Sequence, residues 1–268
     1  MELVNKTITL EDLNEPLKIV PISDVHLGSV NCNLRKFKET VNYIKNTPNC
    51  YTVLLGDLCE AIMISDKRFN MADLDPIFHD RINDLGLAQY EMMRDILMPI
   101  KHKILAGLAG NHDATMKLRY HSDFCAWLHR ELGCPDLGDS GFLVINWDPN
   151  QLHREKVILY CAHGFFAGRR TGSKVNNMEE LAKSYEADLY LLGHSHALFV
   201  TSTMRVYPVA NKIKLKKQYF CQTGSYLDTL VQGSSCYAER AGYVPQKTGS
   251  LKISIYPRAN GIDYHVSE

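Results

Sequence analysis

The feature that most constrains the fold is a repeated punctuation, in which short apolar runs each lead directly into a glycine-flanked polar motif. LKIVPIS (17–23) runs into Asp24-Val25-His26, and YTVLL (51–55) into Gly56-Asp57. KILAGL (103–108) leads to Gly110-Asn111-His112-Asp113, ILYCA (158–162) to His163-Gly164, and DLYLL (188–192) to Gly193-His194-Ser195-His196. Apolar runs of this length bounded by turn residues read as buried strands. Stretches of helical spacing lie between them, around 33–46, 84–98 (ending before Pro99), 120–132 and 176–186. Further strands are expected near 141–147 and 156–162. Beyond His196 helices stop, and segments near 197–206, 217–223, 250–257 and 262–266 read as strands joined by Gly-bearing loops.

This order predicts an α/β chain in which two sheets pack as a βαβ-type sandwich flanked by helices. At 268 residues one domain spanning 1–268 is expected. The stretch 61–83, AIMISDKRFNMADLDPIFHDRIN, is the one long segment without clear periodicity, and reads as a cap or substrate loop. In open α/β sheets ligands bind outside the carboxyl ends of the strands, so the five motifs are expected to converge there.

Composition narrows the function. Thirty Lys and Arg balance thirty Asp and Glu, so any polyanion site must be local rather than a global basic field. Eight cysteines carry no CxxC pair, and several lie in strand-like runs, the pattern of buried free thiols in a reducing compartment. The N-terminus lacks a basic-then-apolar signal pattern, and no run is apolar over the length of a membrane span. A cytoplasmic protein without a membrane partner is expected. Oligomeric state leaves no trace in the sequence.

Two carboxylates, several imidazoles and one amide oxygen form a mixed N/O donor set, without thiolates, suited to Mn²⁺, Fe or Zn²⁺. Asp24 with His26, and His194 with His196, are spaced i, i+2, which in extended backbone places both side chains of a pair on one face. Alone, Asp24 after a strand reads as a turn or cap residue and His163 as a buried histidine.

In order, spacing and residue type, D-x-H, G-D, G-N-H-D, H-G and G-H-S-H over residues 24–196 resemble the signature of calcineurin-like metallophosphoesterases. The resemblance implies a centre of two divalent ions, Mn²⁺ first, with Fe, Zn²⁺ or Mg²⁺ as alternatives. It places Asp24, His26 and His196 on one ion, Asn111, His163 and His194 on the other, and Asp57 between them. His112 would be the catalytic histidine that is not a ligand. Two ions about 3.5–4 Å apart share and activate a water and clamp the attacking and leaving oxygens of an in-line displacement. Asp113 either orients the His112 imidazole or caps the following helix.

The substrate is expected to be a phosphate ester, and a nucleic acid or nucleotide diester is the leading reading. A phosphomonoesterase, a protein phosphatase, a sugar-nucleotide pyrophosphate hydrolase and a catalytically silent binding module are the alternatives. Arg169 and Arg170, with Lys174 nearby, and Tyr226 and Arg240 are candidate substrate contacts. The segment 224–250 resembles the corresponding region of uncharacterised phage and prophage phosphoesterases, which would place the protein in a host cytoplasm. NKIKLKK (211–217) reads as the wet face of an edge strand, Glu60 as the start of a helix, and the six histidines outside the motifs as surface or structural.

Overall fold

The computed structural model describes residues 1–148, 155–164, 168, 170–229, 244–258 and 261–268. Two mixed sheets form its centre. One is built from β2 (Leu17–Ile19), β3 (Cys50–Leu55) and β4 (Ile104–Leu108) in parallel, extended by antiparallel β10 (Lys252–Arg258) and β11 (Gly261–Ser267) in the order β11-β10-β2-β3-β4. The other contains β1 (Glu2–Ile8), β5 (Ser140–Trp147), β6 (Glu155–Ala162), β7 (Leu189–Leu192), β9 (Lys212–Thr223) and β8 (Leu198–Val209), in that spatial order.

Burial explains the sequence patterns. All six residues of β3 are buried because the strand is covered on both faces, which is why YTVLL reads as a continuous apolar run rather than an alternating one. Its Val53 and Leu55 meet Leu143, Ile145, Leu159, Leu189 and Leu191 of the facing sheet, forming the central core. Leu54 faces the other way, toward α1 (Leu34–Asn46), α2 (Leu85–Leu97) and α4 (Phe124–Leu132). In α1 the buried positions Phe37, Val41 and Ile44 are spaced at i, i+4 and i+7, and Asn33 caps the helix by accepting from the Lys36 N–H at 2.9 Å. On the outer face of the second sheet, Tyr160, Tyr190 and Phe220 pack with Met178 and Ala182 of α5 (Thr171–Ser184).

The expected α/β class and paired sheets are present, with four differences of detail. The helix expected at 120–132 begins at Phe124, and a separate α3 (Asn111–Tyr120) precedes it, His121 turning the chain at φ 53°. β1 carried no expectation. It pairs parallel with β5, more than 130 residues on, so no local pattern announces it. The strand expected at 217–223 extends back to Lys212 as one arm of a hairpin that overruns β7. The edge strand is therefore β8 rather than the lysine-bearing one, and over 212–215 both faces are wet, Ile213 (78 %) and Leu215 (64 %) included.

Segment 61–83 holds short 3-10 turns at Met71–Asp73 and Pro76–Asp84 and docks beside the first motif. The Asp75 N–H donates to the Gly28 carbonyl and the Val30 N–H to the Asp73 carbonyl, while Leu74 and Phe78 are buried.

Candidate metal centre

The five motifs meet at the carboxyl ends of β2, β3, β4, β6 and β7, but not by the route the spacing suggested. Asp24, His26, Asp57, His194 and His196 all have left-handed backbone, with φ between 50° and 65°, so the i, i+2 pairs do not sit on extended strands. Asp, Asn and His are the residue types, glycine aside, that enter this region most readily. Turning at each donor lets a short loop present several side chains to one point. The ladder between β2 and β3 continues into these loops: Asp24 N–H donates to Gly56 O (3.1 Å), His26 N–H to Asp57 O (3.1 Å) and Leu27 N–H to Leu58 O (3.0 Å). Gly110 is needed for closeness rather than for its dihedral angles, since a Cβ there would collide with the Asp57 carboxylate.

Two donor sets lie side by side. Asp24, His26 and His196 offer ligand atoms within 4.8 Å of one another, and so do Asp57, His163 and His194. In the first, His196 Nε2 lies 3.3 Å from Asp24 Oδ1 and 3.3 Å from His26 Nε2. In the second, His163 Nε2 is 3.1 Å from Asp57 Oδ2, and Asn111 Oδ1 faces His163 Nε2 at 3.1 Å and His194 Nδ1 at 2.8 Å. All seven residues named from the motifs are thus brought together.

Their hydrogen bonds fix which atoms face inward. His163 Nδ1–H donates to Leu55 O at 2.7 Å, and His26 Nδ1–H to Glu60 Oε2 at 2.8 Å, so both rings turn Nε2 toward the centre. Asp24 Oδ2 accepts from the His194 N–H at 2.9 Å and from the Ser23 hydroxyl, whereas Oδ1 is buried without any hydrogen-bond partner. A buried carboxylate oxygen without a hydrogen bond, set among imidazole rings, is costly unless a cation meets it. The donors present therefore fit divalent ions. Burial alone would push the carboxyls of Asp24, Asp57 and Glu60 up, weakening them as acids. The neighbouring imidazoles outweigh it and hold all three carboxyls below their ordinary values, so the site keeps its negative charge.

The structure separates the two residues of His112-Asp113. His112 Nδ1–H donates to the Glu60 carbonyl, leaving Nε2 free, and its backbone N–H donates to Asp57 Oδ1 at 2.8 Å. Asp113 does not touch that ring. Its Oδ2 accepts from the N–H groups of Gly110 (2.7 Å) and Asp57 (3.1 Å), and its Oδ1 from the Tyr90 hydroxyl. Of its two expected roles, capping α3 is the one the geometry supports, and the same carboxylate pins two motif loops together.

Glu60 corrects the helix-start expectation. It begins no helix, and it joins His26 through its carboxylate and His112 through its carbonyl. The signal available was its position three residues after Asp57. Tyr226 is likewise corrected: its side chain is 0 % exposed and packs on Phe37 at 5.3 Å between ring centroids, so it cannot meet a substrate. Its backbone matters instead, with its N–H donating to Asp24 O at 3.0 Å. Arg170 is exposed at the start of α5, and Lys174 is buried. Arg169 and Arg240 lie outside the described residues. Ser23, Tyr90 and Gln222, which holds the Leu192 carbonyl at 3.1 Å behind the last motif, were not anticipated.

The model of the family described as calcineurin-like phosphoesterase matches residues 17–198, more than half of the chain and all five motifs. The chain belongs to the calcineurin-like phosphoesterase family. Solved structures of similar fold include a metallophosphoesterase from Sphaerobacter thermophilus (12 % identity, covering 94 % of this chain and 89 % of that one, TM-score 0.42). A protein described as a predicted phosphoesterase from Streptococcus pneumoniae TIGR4 follows (12 %, 94 % and 98 %, 0.37), with a Vps29 single mutant from Entamoeba histolytica (10 %, 93 % and 98 %, 0.34). No curated protein sequence matches the chain. As a calcineurin-like phosphoesterase it is a hydrolase of phosphate esters whose His and Asp groups are placed to bind divalent metal. Among the described residues, no helix is long and apolar enough to cross a membrane.

Proposed function

We propose that this calcineurin-like phosphoesterase is a two-metal phosphodiesterase acting on nucleotide or nucleic-acid diesters. Asp24, His26 and His196 would hold one cation, Asn111, His163 and His194 the other, with Asp57 between. The observation that carries the reading is the convergence of these donors around the bare Asp24 Oδ1. Divalent cations bound there supply Lewis acidity toward the phosphoryl oxygens and an activated water. The mixed N/O donor set, with no thiolate in it, supports Mn²⁺.

The protein's own residues do the rest. Asp57 takes the His112 N–H on Oδ1, which orients its other oxygen toward His163 and the second donor set. Glu60 and Leu55 O hold the rings of His26 and His163 in the ligating tautomer. His112, tied at Nδ1, carries its second proton at Nε2, where the leaving alkoxide would take it as the P–O bond breaks, giving a monoester and an alcohol. The seven described cysteines are free thiols, six of them buried, which supports a reducing, cytoplasmic setting.

The test is turnover with Mn²⁺ on bis-p-nitrophenyl phosphate against p-nitrophenyl phosphate. Hydrolysis of the diester is expected, with His112→Asn lowering kcat by about 10²–10⁴-fold while bound metal, measured by elemental analysis, is retained. Activity on the monoester alone would overturn the diesterase reading. Absence of turnover on every phosphate ester would favour a binding module.

A further inference from the structure

Segment 61–83 holds a fixed guanidinium against the helix that carries His112. Asp66 is buried, closes a turn by accepting the Phe69 N–H on its carbonyl (2.8 Å), and accepts the Arg68 N–H on Oδ1 (2.9 Å). Its carboxylate then grips the Arg68 side chain as a fork, Nε to Oδ1 at 3.1 Å and Nη2 to Oδ2 at 2.8 Å. That leaves the other terminal nitrogen outside the fork, on a side chain 40 % exposed. A buried acid holding an exposed arginine in one orientation makes a preorganised anion contact rather than a solvated charge.

A second arginine shares the same acid. Arg119 Nη1 lies 3.9 Å from Asp66 Oδ2, and its side chain is 61 % exposed. Arg119 follows His112 by seven residues on α3, which returns to the same helical face roughly 10 Å along the axis. The Ser65 hydroxyl, 3.4 Å from the Tyr120 hydroxyl, ties the loop to the far end of that helix. The Asp66 hydrogen bond holds the Arg68 guanidinium above its ordinary value, so it stays charged. One buried carboxylate thus sits between two partly exposed guanidiniums.

We infer that Arg68 and Arg119 form a subsite for a second phosphate, carried on the leaving-group side of the scissile ester. The inference rests on the phosphodiesterase reading, since His112 defines that side. Such a phosphate is supplied either by the next nucleotide of a strand or by the pyrophosphate of a small nucleotide. Arginine on a phosphate adds a charge-assisted contact worth about 10- to 100-fold in affinity or rate.

The experiment compares kcat/KM in Mn²⁺ for the dinucleotide TpT with TpTp, pTpT and TpTpT, and separately for diadenosine triphosphate. In the wild type a second phosphate is expected to raise kcat/KM about 10- to 100-fold, and in Arg68→Gln that ratio is expected to fall toward one. A gain confined to diadenosine triphosphate keeps the arginine pair and assigns it to a small nucleotide. No gain in the wild type, or a gain retained in both Arg68→Gln and the double variant with Arg119→Gln, overturns the subsite. Binding without turnover is read by anisotropy of fluorescein-labelled decathymidylate in chelator across a salt series. Arg68→Gln should weaken binding and lower the salt slope by about one. Inactivity toward all esters would strike the hydrolase reading, whereas an unchanged salt slope together with no second-phosphate gain on any substrate would strike the arginine pair.

Discussion

Asp113 offers the sharpest test of how the site is held. It is buried, and it receives two backbone N–H groups, from Gly110 and Asp57, that belong to different motif loops. Asp113→Ala would leave both donors buried and unpaired, at about 1–3 kcal/mol each, and would take the acceptor from the Tyr90 hydroxyl as well. A loss of about 4 kcal/mol is expected, a large share of the 5–15 kcal/mol typical of folded domains. Asp113→Asn keeps one oxygen for the two N–H groups and turns an amide toward a hydroxyl able to accept, so it should cost only about 1 kcal/mol. The assay is urea unfolding in chelator, followed by kcat on a diester with saturating Mn²⁺. The asparagine variant is expected to keep most of its kcat. A stable Asp113→Ala with collapsed kcat, or an asparagine variant as inactive as His112→Asn, would refute the bracing role and return Asp113 to the chemistry.

Glu60→Gln should weaken Mn²⁺ binding by about 10-fold, measured calorimetrically, because it removes the carboxylate that fixes the His26 tautomer. Gly110→Ala should cost about 3 kcal/mol through its collision with the Asp57 carboxylate, seen as a lowered Tm together with lost metal binding. Asp66 is held at about 2, chiefly by its hydrogen bond to Arg68. Its contribution is therefore complete above the unfolded carboxylate value near 4 and is lost as pH falls toward 2. Screening around the partly exposed Arg68 reduces that contribution to about 1 kcal/mol. The stability gap between wild type and Asp66→Asn should thus narrow between pH 5 and pH 3 in urea titrations, and a constant gap would contradict it.

Much of the centre was legible because its donors follow strands whose burial imposes an apolar run, so each motif is announced by the residues before it. The backbone that carries them was not legible. Residue spacing says that Asp24 and His26 belong together, but only the left-handed turns at both show how. α3 escaped notice because NHDATMKLRY buries only Asp113 and Met116 and so lacks an apolar stripe. Glu60 and Tyr226 were misread for a shared reason. Position along the chain says nothing about whether a side chain ends beside an imidazole, as Glu60 does, or beneath a helix, as Tyr226 does. Arg68 sits in a stretch without periodicity, and its role depends on Asp66, two residues away, being buried.

The left-handed donors have a consequence for how this centre is probed. At Asp24, His26, His194 and His196, alanine removes a ligand and also introduces a residue that tolerates φ near +50° to +65° less well than the Asp or His it replaces, by up to about 1–2 kcal/mol. An alanine scan there mixes two effects in one number. Glycine removes the ligand while relaxing the turn, and asparagine keeps a polar side chain that accepts the same backbone. The difference between glycine and alanine at each position, corrected for the ~0.4–1 kcal/mol by which glycine loosens the unfolded chain, therefore measures how strongly each loop demands a left-handed backbone before any ion arrives.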